Sequence, residues 1–214
     1  MSTLENRESF FNRLKNPPFS CLLSDEQVER IELAYILAKY GHRAQARRGE
    51  ADDQGCPVRY FEHPRRVALT LLDELRLPDP AMIMAALLHD CVEDTWQISP
   101  AKIRLVGGEE VFRIVNLLSK NPKAGYLDRL RDFADWKTLV VKACDRLDNL
   151  RTLPENDRAF QRKQVEETAA DYFPLFRRMV EIAPAECRDR VAVLNDRLRS
   201  VIEVWRLTLD GWAI

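Results

Sequence analysis

The stretch that most limits how this chain can fold runs from Ala85 to Thr95, AALLHDCVEDT, an apolar run ending in four ionisable side chains: His89, Asp90, Glu93 and Asp94. The residues leading into it, Ile83 to Leu88, are apolar enough that a helix here is expected to be buried along much of its length. On a helix, residues three and four apart share a face, so His89 sits over Glu93, and Asp90 lies near Glu93 and Asp94. One imidazole and three carboxylates then gather in a single patch. Burying carboxylates costs several kcal/mol unless a cation or hydrogen bonds compensate. A fold that covers this helix must therefore supply compensation at its end; the plainer alternative is a helix C-terminus whose acids face water.

Only seven of the 214 residues are glycine, and repeats and low-complexity tracts are absent, which leaves little room for tight hairpins and predicts an all-α fold. The length fits one domain, 1–214, with closing helices over 155–207 belonging to it. The 33 basic and 34 acidic residues nearly cancel, so nothing in the overall charge favours nucleic acid or an anionic membrane surface; any anionic ligand must be held by a local cluster. The opening MSTLENRESFFNRLKN is charged throughout, with no signal-peptide core, and no apolar run is long enough to span a bilayer. A cytoplasmic protein, monomer or homodimer, is the expectation. Cys21, Cys56, Cys91, Cys144 and Cys187 form an odd set without a C-x-x-C pair, which argues against a disulfide framework and against a cysteine zinc site.

In chain order, a first helix is predicted from about Leu4 to Lys15, stopped by Pro17 and Pro18. Ser24 with Gln27 forms a capping-box pattern, and Val28, Ile31, Ala34, Tyr35 and Leu37 recur at helical spacing, so a second helix is predicted to run to about Arg48. Its last turns would hold His42, Gln45, Arg47 and Arg48. From Gly49 to Tyr60 the chain shows no period and reads as a long loop. Pro64 suits the first turn of the next helix, at whose entrance stands His63. The helix of the opening stretch is predicted from Ala81 to about Val92. Two short helices are expected to meet at Gly107-Gly108, another covers about Tyr126 to Ala134, and one spans Trp136 to Leu150. Two long helices close the chain, about Arg158 to Ile182 and Cys187 to Leu207, divided by Pro184.

In the Trp136 helix, Lys142, Asp145, Arg146 and Asn149 are three or four apart. Such a stripe is ordinarily a solvated face. Here it follows Leu139, Val140 and Val141, which suggests a buried segment entering a polar pocket. The chain has only three histidines, His42, His63 and His89, each at a helix end or entrance beside other polar residues. A lone histidine is more often a hydrogen-bonded core residue than a ligand, but three with none to spare favour a shared centre. With Asp90 and Asp145 they make a mixed nitrogen and oxygen set suited to a divalent Mn, Fe, Co or Zn ion.

The ordered blocks HRAQARR at 42–48, YFEHP at 60–64, AALLHDCVEDT at 85–95 and VKACDRLDNLRTL at 141–153 resemble the HD-domain hydrolases. Within them, they are similar to the guanosine 3',5'-bis(diphosphate) hydrolases of the RelA/SpoT type and the single-domain small alarmone hydrolases. That resemblance implies an HD-domain helical bundle with a metal site between core helices, and a 3'-pyrophosphohydrolase that cleaves (p)ppGpp-type alarmones to GDP or GTP and pyrophosphate. It implies His42, His63, His89, Asp90 and Asp145 as ligands, usually around Mn2+. Glu93 and Asp94 would orient and deprotonate the attacking water. Arg47 would stack on the purine, and Arg48, in place of a more usual lysine, would meet phosphate. Asn149 and Thr152 would fix the ribose and phosphates. Lys142 and Arg146 would lend positive charge to the diphosphate, a helix-bracing salt bridge being the alternative for Arg146.

The sequence departs from that family in two places. The segment between Arg48 and His63 is longer than the usual short serine-glycine link, which leaves the choice of purine open. Asp148 stands where many relatives carry histidine, a change expected to alter the bonding around the ligands without removing one. No synthetase or regulatory domain is expected. The nearest rival reading is an HD phosphohydrolase acting on (p)ppApp or on the 2'-phosphate of NADPH. A rival of another class is a non-catalytic nucleotide sensor, against which stand the filled ligand positions and the Glu93-Asp94 pair.

Overall fold

A computed structural model describes residues 6–211. Its centre is the apolar helix α4, Pro80–Leu88, which starts where the Asp79 carboxylate accepts the Met82 amide and Pro80 fills the first turn. Every residue from Ala81 to Leu88 is buried, because four helices surround α4. They are α2 (Asp25–Gly41), α3 (Glu62–Leu69, continued by a π turn over Thr70–Glu74), α6 (Pro100–Leu118) and α8 (Trp136–Arg151). The far side of α8 is covered by α10 (Phe173–Ile182) and α11 (Ala185–Leu209). Around this core lie α1 (Arg7–Lys15), the single turn α5 (Cys91–Asp94), α7 (Tyr126–Phe133) and α9 (Arg158–Glu167). The architecture is helical, as expected, with one hairpin added. Among the described residues no helix is long and apolar enough to cross a membrane.

Caps set most boundaries where the sequence places them. Ser24 and Gln27 form the reciprocal capping box of α2, and Asp135 accepts the Thr138 amide to open α8. The α1 capping box joins Asn6 and Ser9; the predicted start at Leu4 lies outside the described residues. The break expected at Gly107-Gly108 is a kink inside α6, where Gly108 has φ 81° and ψ −176°, and Arg30 caps the Gly107 carbonyl at 2.9 Å.

Three expectations are corrected. Helix α2 does not reach Arg48; it stops at Gly41, whose missing side chain admits Ile98 and Thr95, since a Cβ there would lie 3.0 Å from Ile98. The segment 49–60 is not simply a loop. Strand β1 (Ala46–Ala51) pairs antiparallel with β2 (Pro57–Arg59), Ala46 opposite Arg59 and Ala51 opposite Pro57, around a turn in which the Asp52 carboxylate accepts the Gln54 and Cys56 amides. Finally, the opening stretch is not one helix to Val92. The His89 imidazole takes the Ala86 carbonyl at 2.8 Å, the acceptor that the next amide would use, and the helix ends at Leu88 before restarting at Cys91.

Candidate metal and catalytic centre

Helix starts and ends converge on one buried point. His63 comes from the first turn of α3, His89 from the end of α4 and Asp145 from the middle of α8, and their ligand atoms lie within 4.8 Å of one another. His63 Nε2 is 3.2 Å and His89 Nε2 3.7 Å from Asp145 Oδ1. Asp90 Oδ2 completes the group, 3.2 Å from His89 Nε2 and 3.6 Å from His63 Nε2. Each imidazole is aimed by its other nitrogen. His89 Nδ1 faces a carbonyl, which only accepts, so Nδ1 carries the proton and the Nε2 lone pair faces the centre. His63 Nδ1 lies 2.6 Å from Asp148 Oδ2 and is fixed in the same sense.

His89 Nε2 is buried without a hydrogen-bond partner although two carboxylate oxygens face it. A cation among two imidazole nitrogens and two carboxylates satisfies it, and that donor set fits a divalent metal ion. Burial opposes the charge of Asp145, yet Lys142 Nζ at 2.8 Å and the two histidines hold its carboxyl well below the usual range. Asp90 behaves alike: burial works against its charge and His89 outweighs it.

His42 has a different place. Its Nδ1 is 2.6 Å from Gln45 Oε1, its Nε2 faces Cys91 Sγ at 3.6 Å, and its ring stacks on Tyr60 with centroids 4.7 Å apart. It caps α2 beside the His63, His89 and Asp145 cluster, close enough to Asp90, His89 and His63 for their charges to act on it, and burial pushes its imidazole below the ordinary value.

Of the two acids after the turn, Asp94 faces the centre through Tyr60. The Tyr60 hydroxyl is 2.7 Å from Asp90 Oδ2 and 3.0 Å from Asp94 Oδ2, and Gln45 Nε2 donates to the Asp94 carbonyl at 2.6 Å. Burial, with the Asp90 charge nearby, pushes the Asp94 carboxyl above its ordinary value. Glu93 is held from behind, its Oε2 accepting the Lys120 amide at 2.9 Å.

A cavity of about 210 Å³ opens over these groups, and Lys142, Arg146, Arg47 and Lys120 set four cations in its lining opposite the carboxylates of Asp90, Glu93, Asp94 and Asp145. Arg47 donates to Glu50 and Asn149, both at 2.9 Å, and to Thr152 at 3.3 Å, with its guanidinium 5.6 Å from the Tyr60 ring. Asn149 in turn donates to Asp145 Oδ1 at 2.6 Å. Arg48, next along the strand, points the other way; it is exposed, over the Phe160 ring at 4.8 Å and 3.6 Å from Asp157. Arg146 is braced by neutral acceptors, donating to Thr168 at 3.0 Å and to the Gln164 carbonyl at 2.9 Å, over the Tyr172 ring. Sequence reasoning gave no role to Tyr60, Gln45, Lys120, Phe160 or Gln164. The first two stand inside the quoted blocks YFEHP and HRAQARR; the others carry no signal, since only the fold brings them to the cavity.

A helical core that gathers a histidine, an adjacent His-Asp pair and a distant aspartate around one cation position is the arrangement that defines the HD class. The HD domain model matches residues 34–180, and the chain belongs to that family. Its relatives sharpen the class. The chain is 36% identical over 162 residues to a GTP pyrophosphokinase of Streptomyces coelicolor, covering 71% of this chain and 18% of that protein. It is 31% identical over 169 residues to the bifunctional (p)ppGpp synthase/hydrolase SpoT of Escherichia coli K12, covering 73% and 23%, and 37% identical over 192 residues to the GTP pyrophosphokinase rsh of Brucella melitensis, covering 84% and 24%. The chain thus spans about a fifth of the length of these relatives. A solved structure of a metazoan ortholog of SpoT, described as hydrolyzing ppGpp and playing a role in starvation responses, superposes with a TM-score of 0.59 at 26% identity, covering 86% of this chain and 97% of that one.

Proposed function

We propose that this protein is a metal-dependent 3'-pyrophosphohydrolase of (p)ppGpp-type alarmones. The observation that carries the reading is the geometry of one cavity, where His63, Asp90 and Asp145 of the cluster, the Asp94 and Glu93 carboxylates and the cations of Arg47, Lys120, Lys142 and Arg146 line the same space, with His89 beneath. Mn2+ is the proposed ion, and His42, His63, His89, Asp90 and Asp145 would hold it. A divalent cation bound there lowers the pKa of a water and offsets the phosphate charge. Asp94, fixed by Tyr60 and Gln45, accepts a proton from the attacking water, and Glu93 orients it. As the water oxygen bonds to the phosphorus on the ribose 3'-oxygen, the bond from that phosphorus to the 3'-oxygen breaks. The 3'-oxygen takes up a proton, leaving GDP or GTP and pyrophosphate. Lys142 meets the diphosphate charge as it shifts, while Arg146 sets the cavity wall. Arg47 offers a guanidinium face to the purine, with Asn149 and Thr152 beside it. Arg48, at the rim over Phe160, meets phosphate outside the cavity mouth. All five cysteines are free thiols, which supports a reducing, cytoplasmic setting.

Product analysis with Mn2+ tests the reading, using ppGpp and ppApp in parallel and Asp94→Asn as control. Wild type is expected to release pyrophosphate with GDP, and Asp94→Asn to lose most turnover while keeping fold and metal. The ratio of the two rates identifies the preferred purine. Failure to cleave either nucleotide while metal is bound would overturn the assignment.

A further inference from the structure

Between the cation position and the hairpin runs a chain of charged contacts, of which Asp148, Arg66 and Glu50 have no part in the catalytic reading. His63 Nδ1 is 2.6 Å from Asp148 Oδ2. Arg66 grips the same carboxylate with two nitrogens, at 2.7 and 3.1 Å, and donates to both oxygens of Glu50 at 3.0 and 3.1 Å. Glu50 receives Arg47 at 2.9 Å, and Arg47 returns through Asn149 to Asp145, the other α8 group at the centre. The contacts close a ring through α3, α8 and β1. His63 and Asp148 are both nearly inaccessible to solvent, so Asp148 must be paired, and its two partners leave it one placement.

We infer that Asp148, gripped by Arg66, which Glu50 holds in turn, is a positioning residue that holds the His63 ring with Nε2 toward the cation position, so that the affinity for metal depends on a contact chain reaching the hairpin. The inference rests on His63 being a ligand. An imidazole whose Nδ1 proton is taken by a carboxylate is a better and better-aimed ligand through Nε2, and loss of such a partner typically weakens metal binding about 10- to 100-fold. Arg66 and Glu50 act one step further out. Their role is to keep the Asp148 carboxylate from turning toward another donor. Arg66 is one-third exposed, and its replacement leaves each of its two carboxylate partners with one other contact, Asp148 with His63 and Glu50 with Arg47.

The test is Mn2+ titration, without nucleotide, of wild type, Asp148→Ala and Arg66→Met. Asp148→Ala is expected to raise the Mn2+ Kd about 10- to 100-fold. Arg66→Met should raise it about threefold to tenfold, and the double variant should bind no more weakly than Asp148→Ala alone, as for residues acting through one path. Proton NMR supplies a reading independent of metal. With three histidines in the chain, the His63 Nδ1 proton should appear far downfield, vanish in Asp148→Ala and shift in Arg66→Met. Should Asp148→Ala fail to fold, Arg66→Met carries both measurements. Kd values within about twofold of wild type, with the downfield resonance unchanged, would overturn the inference. A wild type that shows the resonance but binds no Mn2+ would overturn the proposed function while leaving the His63 placement supported.

Discussion

Tyr60 shows what a single hydroxyl does at this centre. Its oxygen lies 2.7 Å from Asp90 and 3.0 Å from Asp94, but one phenolic proton serves one acceptor at a time. Burial and the two neighbouring carboxylates push its ionisation far upward, so Tyr60 remains a donor throughout the working range. It therefore fixes the spacing between a ligand acid and the acid that handles the water. Tyr60→Phe is expected to fold normally and to lower kcat about 10- to 100-fold, on the order of 1.5–3 kcal/mol, with a smaller change in Mn2+ affinity. Steady-state rates on ppGpp beside a metal titration check this, and an unchanged kcat would remove Tyr60 from the machinery. The residue scale is also where sequence reading meets a limit. The three histidines pointed to a shared centre, and the fold gathers His63 and His89 in one cluster with His42 beside it, stacked on Tyr60. Nothing in the spacing of His42 could show this, because its direction depends on where α2 stops, and that is decided by the contact of Gly41 with Thr95 and Ile98.

At the scale of elements, legibility follows the physical signal. The start of α2 and the whole of α8 were readable because a cap and a 3.6-residue period mark them, and α7, which no side chain caps, from the Asn121-Pro122 turn before it. The hairpin was not, since β1 reads ARRGEA, with both faces exposed or half-buried, and carries no alternation of apolar and polar residues. Its contribution is positional: side chains of neighbouring residues on a strand point oppositely, so Arg47 enters the cavity and Arg48 leaves it. The kink in α6 was readable from two glycines, and only one of them is required by backbone conformation. Gly108 has φ 81° and ψ −176°, a region essentially restricted to glycine, and a Cβ there would meet the Arg30 guanidinium at 3.1 Å. Gly108→Ala is expected to cost about 1–3 kcal/mol. Thermal unfolding reads this as a fall in Tm of several degrees. Gly125 is left-handed too, at φ 67°, but has nothing within 4 Å of the added carbon. Gly125→Asn should therefore cost well under about 1 kcal/mol, and equal losses at both sites would show that the kink is not held by Gly108.

The whole molecule is tied together across α8, and one carboxylate makes the tie testable by pH. Glu74, at the end of the π turn after α3, accepts Arg151 of α8 at 2.6 and 3.0 Å and also pairs with Arg197 of α11. Arg66, Asp73 and Asp148 line the same cleft, so the two arginines that touch Glu74 act within a field of mixed sign. Arg151 leads in holding the Glu74 carboxyl below its ordinary value near 4.5, burial opposes it, and Arg197 adds to the lowering. A depressed folded-state value means that the stabilisation is complete above the unfolded-state value and is lost as pH falls through the folded-state one. Both arginine side chains are 40% exposed, so solvent screening limits the contribution to about 1 kcal/mol. Glu74→Gln is thus expected to be less stable than wild type by about that amount at pH 7, and the gap should close in acid as the carboxyl is protonated through its lowered folded-state value. Urea unfolding of both proteins at pH 7 and in acid measures it. The other acids, Asp148 among them, titrate in both proteins and cancel in the difference. A gap that persists in acid would mean that Glu74 joins the three elements by packing and hydrogen bonds that do not depend on its charge.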